Sequence, residues 1–199
     1  MTDVGGVTAF PQNQARNRRN QPQYDYVVAW LPHDAARQPV ELAGWVGLVA
    51  SRSGIVRLVL PCPTLEEVLE DIQPPASWRL SWSPLLCRTY WQLRALLSGR
   101  RRGFTLPVDL SGLTPFRAQV LRLAASIPWG ETRSYAELAA EAGSPGAARA
   151  VGQAMAHNPV PLLVPCHRVI GGDGGMVGFG GGVNRKRALL RLEVAQDTP

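Results

Sequence analysis

Residues 134–156 read SYAELAAEAGSPGAARAVGQAMA, and this stretch decides the fold of the second half of the chain. Ser134 is a good N-cap for a short helix that Gly143 ends, and Ser144-Pro145 can open a second helix that runs to about Ala156. Two short helices joined at a glycine-containing turn predict a helix-turn-helix.

The second of these helices is covered in small residues and carries one long cation, Arg149. Ala148, Ala150 and Gly152 would let another backbone come close. Taken alone, such a surface favours tight packing of one helix on another. The alternative is entry into a narrow DNA groove, where small side chains avoid clashes and Arg149 can enter the base stack.

A Cys-His pair follows directly, in the segment NPVPLLVPCHRV at residues 158–169. The prolines restrict the backbone and so hold the thiol of Cys166 in one geometry. An imidazole beside a thiol can help to remove its proton, and the thiolate is the nucleophile. Cys166 and His167 are therefore the candidate reactive pair.

A glycine-dense loop comes next, with five-residue runs at 171–175 and 178–182 that hold one aromatic, Phe179. Such a backbone can approach a planar ligand closely, but its spacing does not match a phosphate-binding loop. The last predicted helix, from Asn184 to about Glu193, brings a carboxylate that can orient His167.

The first half of the chain predicts a small α/β domain. Apolar, β-branched runs at residues 24–31, 44–51 and 54–61 predict three antiparallel strands, and helices at 64–72 and 83–97 are expected against one face of the sheet. We interpret Cys62, Cys87 and His33 there as structural.

The predicted organisation has three parts. Residues 1–22 have little to bury and form a disordered or loosely attached tail. Residues 23–103 form the N-terminal α/β domain, and residues 104–199 form a mainly helical, winged-helix-like domain with the helix-turn-helix. The fold class is therefore α/β.

Composition narrows the class of protein. The net charge is +6 and the pI about 9.9, and 20 of the 21 basic residues are arginine, because Lys186 is the only lysine. This charge suits a polyanionic partner. Three cysteines without CxxC or zinc-ligand spacing argue against a disulfide framework or a metal site. We find no signal peptide or membrane-spanning stretch and expect a cytoplasmic protein.

The segment Pro165-Cys166-His167-Arg168-Val169 resembles the PCHRV signature of the O6-alkylguanine-DNA alkyltransferases. Ser134-Tyr135, the run at residues 148–152 and Glu193 are in register with that family. The resemblance covers residues 104 to 193. It implies repair of duplex DNA by single-turnover transfer of an alkyl group from O6-alkylguanine to the protein, without a cofactor, and leaves O4-alkylthymine open as a second substrate.

The resemblance also implies residue roles. Cys166 would accept the alkyl group, with His167 taking the thiol proton through a water and Glu193 polarising His167. Asn158 would brace the turn before the active segment, and Tyr135 would assist departure of guanine. The remaining implied residues are Arg149, Ala148, Ala150, Gly152 and Ser134 for DNA binding, and Met155, Val169, Phe179, Gly180 and Lys186 for the lesion pocket.

Two of these positions depart from some relatives, which have Tyr where this chain has Phe179 and Ser where it has Gly180. The zinc-ligand cysteines of some animal members are missing, so we expect no metal. The expected partner is double-stranded DNA carrying O6-alkylguanine, with no membrane and no obligate protein partner. A monomer is expected, with cooperative assembly on DNA left open.

Three other interpretations remain at this point. A non-catalytic alkyltransferase-like protein would replace the reactive cysteine, which this chain retains. A cysteine hydrolase would use Cys166 and His167 but gives no reason for a groove-suited helix. A helix-turn-helix regulator would leave the Pro-Cys-His segment and the glycine loop unexplained.

Overall fold

The structure is a computed structural model, and it describes residues 24–34, 38–176 and 179–195. The predicted tail at residues 1–22 lies outside this part. Within the described residues no helix combines the length and the apolar character needed to cross a bilayer.

The three predicted strands are present. They are β1 (Asp25–Leu31), β2 (Gly44–Ala50) and β3 (Ile55–Cys62), and neighbouring strands pair antiparallel. A fourth strand, β4 (Arg79–Leu80), pairs parallel to β1 and gives the order β3-β2-β1-β4. The sequence did not predict β4 because two residues are too short to show a period.

The prediction that both helices of this half lie against one face is wrong. Helix α1 (Leu65–Ile72) packs in a cluster with Val49 and Val59, whereas α2 (Pro84–Leu97) belongs to the cluster formed on the opposite face. The strands are apolar on both sides, so each face needs a cover. Gly47 lets α1 approach, since a Cβ there would lie 2.4 Å from the Ile72 Cδ1.

The second half is mainly helical, as predicted. It contains α3 (Pro115–Ala125), α4 (Tyr135–Glu141), α5 (Ala148–Ala156) and α6 (Val183–Ala195). Helices α4 and α5 pack together as the helix-turn-helix.

The ends of the helix-turn-helix follow from its cap residues. Ser134 and Glu137 form a complete capping box at the start of α4, and Gly143 takes a left-handed φ of +73° after its end. Helix α5 begins at Ala148 rather than at the predicted Ser144-Pro145. The backbone there makes a separate turn, in which the Ala147 N–H donates to the Ser144 carbonyl at 2.9 Å.

Main-chain pairing connects the Cys-His segment to other parts of the fold. The parallel pair of β5 (Arg133–Ser134) and β6 (Val169–Ile170) joins it to the start of the helix-turn-helix. The Leu58 N–H of β3 donates to the Pro159 carbonyl at 2.8 Å. One hydrophobic cluster contains residues of both halves. The division of the chain near residue 103 stays a prediction.

Candidate active site

Asn158 organises the turn that leads to Cys166. Its Oδ1 accepts the Val160 N–H at 3.1 Å, and its Nδ2 donates to the Val164 carbonyl at 2.9 Å. Within this turn Leu162 adopts a φ of +72°, a conformation unusual for a side chain with a Cβ. One side chain therefore fixes both ends of a strained turn.

Cys166 begins the 3-10 turn Cys166–Arg168, and its side chain is buried, with 4% of the residue exposed. Asn158 Nδ2 also donates to Cys166 Sγ at 3.1 Å. Burial raises the pKa of the thiol to about 11, against the lowering effects of Asn158 and of the Lys186 charge. The thiol is thus protonated at neutral pH in the protein alone.

His167 is paired with Glu193. Because a carboxylate can only accept, His167 Nε2–H donates to Glu193 Oε1, at 2.7 Å. Nδ1 is buried and has no partner among the described residues. Burial lowers the pKa of His167, although Glu193 works to raise it. The imidazole is therefore neutral, with its lone pair on Nδ1.

Glu193 is the centre of a larger network. Its Oε2 accepts the Gly130 N–H at 3.0 Å, and its main-chain carbonyl accepts Trp129 Nε1–H at 3.1 Å. Arg168 donates to both carboxylate oxygens at 2.9 to 3.1 Å. Burial works to raise the pKa of Glu193, but the hydrogen bonds from His167 and Arg168 outweigh it and lower that pKa. Glu193 is therefore ionised.

Tyr135 and Lys186 form a second group beside the cysteine. Lys186 Nζ is buried, donates to the Val169 carbonyl at 2.6 Å and lies 5.8 Å from the centroid of the Tyr135 ring. Burial raises the pKa of Tyr135 and lowers that of Lys186. Gly152 lies against the Tyr135 ring: a Cβ added at Gly152 would be 3.9 Å from Tyr135 Cδ1.

Cys166 lines a cavity of about 420 Å³. Of the predicted pocket residues, Met155, Phe179 and Gly180 line it as well, whereas the buried Val169 and Lys186 do not. The N-terminal half contributes one wall, which sequence reasoning missed: Leu58, Leu60 and Cys62 from β3.

The predicted DNA-binding residues lie on and beside α5. Arg149 and Ala150 are exposed, and Ala148, Gly152 and Ser134 are half-buried. The opposite side of α5 packs into the core through Val151, Ala154 and Met155. Packing therefore accounts for one side of α5, while entry of the exposed side into a DNA groove stays a prediction. The Ser134 side chain is used by the capping box.

Metal chemistry has no candidate ligand set in residues 24–34, 38–176 and 179–195. No group of three or more His, Cys, Asp or Glu side chains comes together there.

Sequence comparisons show which known proteins this chain is similar to. A family model described as the DNA binding domain of 6-O-methylguanine DNA methyltransferase matches residues 115–195. The methylated-DNA–protein-cysteine methyltransferase of Mycobacterium tuberculosis is 48% identical over 129 residues, which cover 63% of this chain and 76% of that protein. The constitutive methylated-DNA–protein-cysteine methyltransferase of Bacillus subtilis is 44% identical over 108 residues, covering 54% and 65%.

Solved structures extend the similarity over most of the fold. The crystal structure of the Mycobacterium tuberculosis O6-methylguanine methyltransferase matches with a TM-score of 0.68 and 36% identity, over 88% of this chain and 94% of that one. Mycobacterium tuberculosis OGT in complex with DNA matches with a TM-score of 0.67 and 35% identity, over 87% and 94%. By its sequence and its fold, this chain belongs to the methylated-DNA–protein-cysteine methyltransferase family.

Proposed function

We propose that this protein repairs duplex DNA by moving the alkyl group of O6-alkylguanine to Cys166, once per molecule. The observation that carries the proposal is the array around the cavity: a braced thiol on its wall, with a neutral imidazole next in sequence whose Nε2 is held by a buried carboxylate. A sulfur nucleophile and an adjacent base are the two groups that such a transfer needs.

The reaction is a displacement at the alkyl carbon. The thiol proton passes through a water to His167 Nδ1, while Glu193 stabilises the imidazolium that forms. The carbon–sulfur bond forms as the carbon–O6 bond breaks, and the electron pair goes to guanine. Guanine takes up one proton from water, and His167 returns the thiol proton to water. The buried thiol has a pKa of about 11, so it needs this base at the moment of transfer. The thioether product does not hydrolyse, which limits each molecule to one turnover.

The nucleotide must leave the duplex to reach this sulfur. Extrusion costs a few kcal/mol, which groove binding must offset. The exposed side of α5 supports a role in groove binding, since it carries the small Ala150, the polar Gln153 and the cation Arg149. We assign Arg149 to the space that the flipped nucleotide leaves, with Ala148, Gly152 and Ser134 beside the DNA backbone.

Pocket contacts follow from the cavity. Met155 and Phe179 would hold the extruded guanine ring, and the backbone of Gly180 would offer polar groups to its edge. Lys186 would hold the Val169 backbone in place from the side of Tyr135, through the hydrogen bond to its carbonyl. Tyr135 would assist departure of guanine.

One copy of the chain suffices for this chemistry, because residues 135 to 193 of a single molecule supply every group. We therefore propose a monomer as the active species. We place it in the cytoplasm, where reducing conditions keep the thiol free.

The stoichiometry of repair tests the proposal. An excess of duplex carrying one O6-methylguanine is incubated with the protein, and restored guanine is counted. We expect a plateau at about one guanine per protein molecule. Cys166→Ser should restore none, and Cys87→Ser should match the wild type. Repair that continues beyond one equivalent, or none at all, contradicts the proposal.

A further inference from the structure

Arg168 follows the reactive pair in sequence and is buried beside it. Its side chain is 8% exposed. Nε donates to both carboxylate oxygens of Glu193 at 3.0 and 3.1 Å, and Nη2 donates to Oε1 at 2.9 Å. Nη1 donates to the Ile127 carbonyl at 2.7 Å, and the guanidinium lies 5.5 Å from the Trp129 ring centroid. These contacts fix the guanidinium in one orientation.

The carboxylate of Glu193 therefore binds two basic side chains at once, those of His167 and Arg168. Oε1 accepts from His167 Nε2 and from Arg168 Nη2. An arginine is charged at every accessible pH, whereas an imidazole gains or loses its charge near neutral pH. A carboxylate that His167 had to itself would attract a proton onto the ring. Partly neutralised by a fixed guanidinium, it attracts a proton onto the resting ring less strongly, yet still stabilises the imidazolium that forms when the thiol proton arrives.

The other charges around His167 are few. Glu193 and Lys186 reach it from α6 and Arg168 from its own turn, and the Lys186 charge acts in the same direction as that of Arg168. Among the described residues, the remaining titratable groups of the site are Cys166 and Tyr135. The buried side chains of α3, which packs on the same turn, are apolar.

We propose that Arg168 is a positioning residue for alkyl transfer: it holds Glu193 on the Nε2 side of His167 and, by neutralising that carboxylate, keeps the imidazole uncharged and able to accept the thiol proton at Nδ1. This inference rests on the proposed function, since it concerns the base of that reaction. It gives the buried Arg–Glu pair a purpose beyond stability.

The pH dependence of the single-turnover methyl transfer rate tests it. Where His167 is protonated the base is lost, so the rate falls on the acid side. In Arg168→Gln we expect this acid limb to move up by about one pH unit or more, equivalent to about tenfold in the protonation equilibrium of the imidazole. Arg168→Lys keeps the charge and should leave the limb near its wild-type position.

Arg79→Gln is the matched control. Arg79 also donates two hydrogen bonds to a carboxylate, that of Asp25, but this pair lies at the surface of the N-terminal half. Its acid limb should be that of the wild type. A purely structural role for Arg168 would reduce the active fraction of Arg168→Gln without moving the limb, and that result overturns the inference.

A second measurement does not depend on a folded variant. The ¹⁵N spectrum of His167 in the wild-type protein at pH 7 should show a neutral ring protonated at Nε2. An imidazolium at that pH overturns the inference even if Arg168→Gln does not fold. Wild-type protein that transfers no methyl group would instead contradict the proposed function, so the two failures are distinguishable.

Discussion

Replacing Glu193 with Gln removes the only carboxylate that contacts Arg168 within the described residues. The guanidinium is then left with 8% side-chain exposure and no counter-charge. Breaking a buried ion pair by removing one partner typically costs about 3–5 kcal/mol. For a protein of this size each kcal/mol lowers Tm by roughly 2–4 °C, so we expect a fall of about 6–20 °C.

The same substitution also slows transfer. A hydrogen bond to a charged group is worth about 1.5–3 kcal/mol, and the loss of the charge behind His167 should lower the single-turnover rate by roughly 10-fold to 100-fold. Urea denaturation and methyl transfer to the protein measure the two effects separately.

Glu141→Gln is the control for stability. Glu141 lies 3.9 Å from Arg133 with 46% of its side chain exposed, and such surface pairs contribute about 1 kcal/mol or less. If Glu193→Gln and Glu141→Gln lower the free energy of unfolding equally, the reasoning about the buried network is refuted.

Three further outcomes follow. Gly47→Val should lower the free energy of unfolding by about 1–3 kcal/mol, because a Cβ at this position would lie 2.4 Å from Ile72 Cδ1. A Cβ at Gly172 would have no atom within 4 Å, so Gly172→Ala should change the free energy of unfolding far less, and urea denaturation compares the two variants. Burial raises the Cys166 pKa from 9.0 to about 11, so the folded state holds the thiol proton more tightly than the unfolded chain does, and this stability is lost as pH rises from 9 to 11. Over that range the unfolding free energy of the wild type should fall by up to about 2.7 kcal/mol more than that of Cys166→Ala. Equal pH dependence in the two proteins contradicts the burial argument. Arg149→Ala should leave unfolding within about 0.5 kcal/mol and weaken binding to lesion-bearing duplex in fluorescence anisotropy, with Arg149→Lys intermediate; unchanged binding removes Arg149 from the interface.

Much of the fold was predictable from local signals. The three long strands show β-rich apolar runs, and the helix-turn-helix carries its own caps at Ser134 and Gly143. The features that could not be predicted either depend on tertiary packing or are too short to show a periodic pattern. An apolar run does not show which face of the sheet a helix will cover, so the prediction that both helices share one face is wrong. The Ser144-Pro145 pair resembles a helix start, but these residues form a separate turn before α5.

The site divides in the same way. Cys166 and His167 are adjacent in the chain, so a motif suffices to bring them together. The pairing of His167 with Glu193 needs α6 to fold back across the core. The family resemblance implies this pair, and its atoms lie 2.7 Å apart in the structure. Arg168 was missed, although an arginine inside an apolar segment signals a need for a buried carboxylate.

Cys62 shows the limit of such signals. It ends a strand between two prolines and has no motif around it, and only packing of the two halves places it in the same cavity as Cys166. Because a second thiol lines that cavity, an experiment must determine which cysteine is modified.

Peptide mass mapping of the protein after reaction with duplex DNA bearing O6-methylguanine tests the central claim most directly. The account predicts one added methyl group on the peptide that contains Cys166, unmodified Cys62 and Cys87, and no modification at all in Cys166→Ser. A methyl group on Cys62, or restored guanine with an unmodified Cys166, would contradict it.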